Sequence, residues 1–149
     1  RMMVVFPSEE WFQEVRQAYN SDQGLHSGGG GACDTTAGFK VGEYWYFIEF
    51  EGLECGQVRQ CTEQDLEATD FILEMPLETW QAMLKDVQAN GKASSNLTLN
   101  SIDLEFEDGI ARSPIDDQYR QDLFYRYNQN FQDFFDASSL VETTFESQA

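Results

Sequence analysis

Few residues in this chain have the types and spacing that chemistry requires. His26 is the single histidine and stands beside the glycine run Gly28 to Gly31. With no nucleophile arranged around it, it reads as a solvent-facing side chain rather than a general base. The glycines lack the lysine and the Ser/Thr of a phosphate-binding loop, so they read as a turn or a mobile lid. Cys33, Cys55 and Cys61 are an odd set, and the last two are spaced as neither a CxxC redox pair nor a zinc knuckle. Free, half-buried thiols are the simpler reading against a zinc site built from His26 and scattered cysteines. Reduced thiols point to the cytoplasm. There is no Ser-His-Asp set, Rossmann glycine motif or HExxH. What remains is a carboxylate base, Asp70 or Glu74, facing a phenol, Tyr44 or Tyr46. Such a pair can move a proton beside a carbonyl if the pocket is apolar. With 27 Asp and Glu in the chain, a pairing of this kind is easily found by chance. No cofactor and no metal is expected.

Residues suited to binding are far more plentiful. Hydrophobic residues make up 41% of the chain, and 12 Phe, 6 Tyr and 3 Trp can fill a core or line a cavity. The net charge of −18 works against phosphate. It argues against nucleic acid and against standing attachment to an anionic membrane. A partner protein with a basic face fits it. So do simple solubility and a salty habitat. No stretch approaches the ~20 apolar residues of a membrane span. No basic-then-apolar leader is visible either, although a chain that begins at Arg1 could have lost one.

The elements that must position these residues can be read in order. Phe6-Pro7-Ser8-Glu9-Glu10-Trp11 reads as a helix start, with Ser8 as cap and acids in the first turn. Trp11, Phe12, Val15, Ala18 and Tyr19 then fall on one face, and the helix should end near Asn20. Strands are expected over 34–40, 44–50 and 54–61, as an antiparallel meander. In the second, Tyr44, Tyr46, Ile48 and Phe50 point one way and Trp45 and Phe47 the other. A helical turn is expected over 62–67 and a fourth strand over 70–74. Pro76 opens a helix carrying Leu77, Trp80, Met83, Leu84 and Val87, which Asn90-Gly91 closes. Two-residue steps favour a strand over 102–106, while 96–101 has the look of a short helix. Asn96-Leu97-Thr98 matches a glycosylation acceptor by chance. The last helix should run over 116–135 and present Leu123, Phe124, Tyr127, Phe131, Phe134 and Phe135 on one face. Residues 1–137 are read as one domain, and 138–149 as a polar tail that frays.

Three segments carry a resemblance. They are the opening Phe6 to Trp11, the junction Asp70-Phe71-Ile72-Leu73-Glu74-Met75-Pro76-Leu77-Glu78-Thr79-Trp80, and the ending Leu123 to Asp136. Together they resemble the SCP-2 (sterol carrier protein 2)-like domains over roughly residues 6–137. The chain departs from that pattern between Asn90 and Asp116. The resemblance implies an α+β fold: a mainly antiparallel four- to five-stranded sheet, helices packed on one face, and an apolar tunnel between them. It also implies a non-catalytic protein that binds and transfers an apolar lipid, whether a sterol, a fatty acid or a fatty acyl-CoA.

If such a tunnel exists, its expected walls are Phe47, Phe71, Leu73, Trp80, Met83, Leu84, Leu97, Leu99, Tyr127, Phe131, Phe134 and Phe135. Each of them taken singly also reads as ordinary core. Removing apolar area from water, at about 25 cal/mol per Å², would hold the ligand with few polar anchors. Tyr44, Tyr46 and Tyr127 are candidate partners for a sterol hydroxyl. Arg112, Arg120 and Arg126 are candidates for a carboxylate, with a surface ion pair between Arg126 and Asp122 as the competing role. Two alternatives stand beside the carrier. One is a small isomerase of the ketosteroid-isomerase type using the Asp70/Glu74 and Tyr44/Tyr46 set. The other is an acidic accessory subunit docked on a lipid- or steroid-degrading enzyme.

Overall fold

A computed structural model describes residues 3–21 and 31–146. His26 and the glycines before Gly31 lie outside the described residues. Strand β1 (Val4–Phe6) leads into helix α1 (Glu9–Ser21). Ser8 caps that helix as its type demands: its Oγ accepts from the Trp11 amide at 3.0 Å and donates to the Val5 carbonyl at 2.6 Å. Strands β2 (Thr35–Val41), β3 (Tyr44–Glu51) and β4 (Glu54–Cys61) form the expected antiparallel meander. Its two reversals place Gly42 and Gly52 at φ +63°, where a side chain would be strained.

A 3-10 turn, Gln64–Leu66, then carries the chain over the sheet to β5 (Phe71–Glu74). Strand β5 pairs with β2 in parallel, and the short β6 (Ala111–Arg112) closes the far edge. The sheet has five strands in the order β4-β3-β2-β5-β6. It is mixed rather than wholly antiparallel, because the crossover over residues 62–70 brings β5 in alongside β2 in the same direction. Between β5 and β6 lie α2 (Leu77–Asn90), a 3-10 turn (Ser95–Leu97) and α3 (Leu99–Glu105). After β6 come α4 (Gln118–Asp136), a 3-10 turn (Ala137–Leu140) and β7 (Thr143–Phe145).

Two expectations are corrected. Residues 102–105 are helical, not a strand, and Phe106 leaves the helix in an extended conformation. Thr98 accepts from the Ser101 amide at 3.1 Å and caps α3, and Leu99 and Ile102, three apart, supply its buried side. Leu104, which the two-residue rhythm required to be inside, is 77% exposed. The tail does not fray within the described residues either. Strand β7 runs parallel to β1, with Val4 opposite Thr143 and Phe6 opposite Phe145. The Trp11 indole donates to Thr143 Oγ1 at 3.0 Å, and Gln88 Nε2 donates to the carbonyls of Ser138 and Val141.

The two faces of the sheet differ. The inner face, under α1, α2 and α4, carries the main core. On the outer face Leu66 lies over Gly38, so close that a Cβ on Gly38 would come within 2.5 Å of Leu66 Cδ1. The rest of that face is mostly polar, crossed by Lys40, Glu74 and Arg112. Among the described residues, no helix is long and apolar enough to cross a membrane.

Candidate functional site

Strand alternation decides which side chains can meet a ligand. In β3 it sends Tyr46, Ile48 and Phe50 to the helices, and the register sets Phe39 opposite Tyr46 and Ala37 opposite Ile48. The parallel pairing continues the layer through Phe71 and Leu73. From above, α4 delivers Phe124, Phe131, Phe134 and Phe135 to it, and α2 delivers Trp80, Met83, Leu84 and Val87. Helix α1 adds Trp11, Phe12, Val15 and Tyr19.

The rings meet one another. Phe131 has its centroid 5.0 Å from Phe50 and 5.2 Å from Phe71. Phe135 lies 5.2 Å from Phe39 and 5.4 Å from Trp80. Phe12 and Tyr46 are 4.4 Å apart. Such pairs contribute about 0.5–1.5 kcal/mol each beyond the area they bury.

Of the residues expected to wall a tunnel, Phe71, Leu73, Trp80, Met83, Leu84, Leu99, Phe131, Phe134 and Phe135 are buried in this one layer. Tyr127 packs against it from a half-buried position, and Leu97 is half-buried outside it. Phe47 is misassigned. It sits opposite Gly38 and so on the outer face, half-buried beneath the Arg59 guanidinium at 4.9 Å. The alternation along β3 contained that signal. Trp11, Phe12, Phe39, Tyr46 and Phe50 belong to the layer and were absent from the expected walls, although the apolar stripe of α1 and the inward face of β3 mark most of them.

Side-chain amides are set into this layer. Gln132 accepts from the Leu99 amide at 2.7 Å and donates to Asp136 at 2.9 Å, which ties α3 to α4. Asn130 donates to the Gly31 carbonyl at 2.9 Å. Burial, and after it the charge of Asp133, pushes the neighbouring Tyr19 phenol up to about 12. Burial also raises the Asp133 and Asp136 carboxyls above the usual carboxylate range. Cys33, Cys55 and Cys61 are free. Burial pushes the first two up to about 12 and Cys61 up to about 11, so none is a thiolate at neutral pH. The described residues contain no group of three His, Cys, Asp or Glu side chains placed to hold a metal ion.

The arginines proposed as carboxylate anchors lie elsewhere. Arg112 is on the outer face with Glu74 at 3.3 Å, and Arg120 is beside Asp117 at 3.9 Å. Arg126 is exposed and lies over the ring of Tyr127 at 5.3 Å, not against Asp122, which takes a hydrogen bond from Gln118. The isomerase pairing is not assembled either. Asp70 accepts from the Thr35 hydroxyl at 2.7 Å, and Glu74 faces outward to Lys40 and Arg112, whereas Tyr46 points inward. At the start of α2, an open groove of about 390 Å³ runs between Met75, Pro76, Leu77 and Phe106, with Lys40 and Glu74 on its rim.

No family model matches the chain, and no curated protein matches its sequence. Among solved structures, a crystal structure of sterol carrier protein 2 aligns with a TM-score of 0.61 at 14% identity, over 90% of this chain and 97% of that one. At that identity the likeness is one of fold: the chain has an SCP-2-like fold.

Proposed function

We propose that this protein binds an apolar lipid between its sheet and its helices and carries it without chemical change, in the cytoplasm. The candidate ligand classes are a sterol, a fatty acid and a fatty acyl-CoA. The observation that carries this reading is the aromatic layer itself. In an SCP-2-like fold, the inner face of the sheet and the facing sides of α1, α2 and α4 meet almost entirely through rings and aliphatic side chains. Apolar area of that kind holds a hydrocarbon by exclusion from water and asks for few polar contacts.

The rings touch, so a ligand must part them. The unbranched thioether side chain of Met83 turns about several bonds and adapts its shape readily, which suits a layer that opens around a guest. The acid–phenol set is not assembled and the thiols are protonated, which favours a carrier over an isomerase.

The test is native mass spectrometry of freshly purified protein, followed by solvent extraction of what it carries. A lipid near one per chain is expected. A bare protein that also fails to bind a fluorescent sterol or fatty-acid probe would overturn the reading.

A further inference from the structure

We infer that Asn128 is the residue that holds the ligand's polar atom, and that this atom is a carbonyl oxygen, as in a ketone or an ester; this rests on the carrier function proposed above. Helix α4 repeats one core position at Phe124, Asn128, Phe131 and Phe135, with steps of four, three and four residues. The three phenylalanines are fully buried in the aromatic layer. Phe71 bridges two of them, its ring centroid 5.7 Å from Phe124 and 5.2 Å from Phe131. Asn128 stands on the stripe between those two, where an apolar side chain would complete the layer.

The Asn128 amide nitrogen is shielded from solvent and meets no hydrogen-bond acceptor among the described residues. The neighbouring amides of α4 are engaged. Asn130 donates to the Gly31 carbonyl, and Gln132 serves the Leu99 amide and Asp136. Ser138 Oγ shares the condition of Asn128, but it is a rotatable hydroxyl in the 3-10 turn beyond the helix. A buried donor left unmet costs more than a satisfied hydrogen bond contributes. An acceptor brought in by a guest removes that cost in the liganded state alone, so the free protein's penalty favours binding. The inward atom is a donor only. A carbonyl oxygen meets it without remainder, whereas a hydroxyl would bring a second donor into a wall of rings.

The experiment compares the full chain with its Asn128→Leu variant. Tridecane, 2-tridecanone and 2-tridecanol are delivered to each from cyclodextrin, and tryptophan fluorescence reports binding. The variant should bind the ketone about tenfold more weakly than the parent chain does, and the alkane no more weakly. The alcohol should lose less than the ketone. Without ligand, the variant should melt no lower than the parent, because it removes an unmet donor and completes the apolar stripe. An equal change for ketone and alkane would overturn the inference, and so would a marked fall in melting temperature, which would give the amide a structural partner such as a bound water. A larger loss for the alcohol than for the ketone would overturn the carbonyl assignment. Each of these results leaves the carrier function standing. Failure of all three probes to bind the parent chain would remove that function, and this inference with it.

Discussion

The side-chain amide of Asn20 and the backbone of Cys55 exchange two hydrogen bonds: Nδ2 donates to the carbonyl at 2.9 Å, and Oδ1 accepts from the amide at 2.8 Å. An amide side chain thus does for β4 what a neighbouring strand would do. Glu9, Gln13 and Arg16, on the same side of α1, continue the row. Glu9 accepts from the Gln60 amide, Gln13 donates to the Val58 carbonyl, and Arg16 donates to the carbonyls of Cys55 and Gly56. Helix α1 therefore covers an edge that would otherwise offer unpaired groups to another chain.

Asn20→Ala should cost about 1–3 kcal/mol, because it strands the amide of the buried Cys55, whose carbonyl keeps only its bond from Arg16. The same variant should show more self-association in size-exclusion chromatography at high concentration. A loss under about 0.5 kcal/mol in urea titration, with no change in association, would mean that water replaces the amide at no cost.

Thr143→Val tests whether the last strand belongs to the domain. It removes the acceptor of the buried Trp11 indole at nearly constant volume, so about 1–3 kcal/mol of stability should be lost. An unchanged melting temperature would reduce the β1–β7 contact to an ornament of the surface.

Phe131→Ala and Phe47→Ala should separate the two faces of the sheet. The first opens a hole in the ring layer and should cost about 3–5 kcal/mol. The second removes a half-exposed ring under Arg59 and should cost about 1 kcal/mol or less. Phe47→Ala should also leave the affinity for a fluorescent sterol unaltered. A marked loss there would return Phe47 to the ligand side.

Thiol labelling should be ordered. Cys61 is half-exposed, while Cys33 and Cys55 are buried and held further above neutral. Under native conditions maleimide should modify Cys61 alone, and slowly. The other two should react only after urea is added. Labelling of Cys33 before Cys61 would show that the end of the layer near Gly31 opens readily.

Acid should stabilise this protein at first. Asp133 and Asp136 are raised by burial, so the folded chain holds protons there that the unfolded chain releases. Stability from these groups is complete below their unfolded pKa and is lost as pH rises through the folded one. The melting temperature should therefore climb as the pH is lowered from neutral towards the ordinary carboxylate range. Asp136→Asn, which keeps an oxygen for the Ala93 amide, should flatten that climb. A climb of the same size in the variant would assign it to relief of the general negative charge instead.

Much of the architecture is legible in the sequence wherever one residue type leaves one option. The bounds of β4 follow from the turns around it. The facing of β3 follows from its unbroken aromatic alternation, and the cap of α1 from Ser8 before two glutamates. Legibility fails where the deciding contact is distant. Leu97, Leu99, Ile102, Leu104 and Phe106 fit two periods about equally. The helix prevails there because Gln132, 33 residues away, receives the Leu99 amide. The polar 138–146 segment gives no local sign of order, since its anchors, Trp11 and Gln88, lie in two other helices. The aromatic layer is legible to the same degree. Burial of nine of the twelve expected wall residues in one layer follows from helical and strand periodicity. Arg16, Lys40, Lys85 and Arg112 meet partners far along the chain, which no local pattern announces.

The parallel pairing of β1 with β7 has a mechanical meaning. A tug on the residues before β1 and an opposite tug on those after β7 would pull the two strands along their lengths in opposite directions. The ladder from Val4–Thr143 to Phe6–Phe145 would then be loaded in shear, all its hydrogen bonds at once rather than one after another. The aromatic layer lies behind this ladder and would feel no load until it parts. Stretched between its ends, the molecule should yield in a single abrupt step. A gradual extension in a single-molecule pull would show that the ladder is not the element that holds.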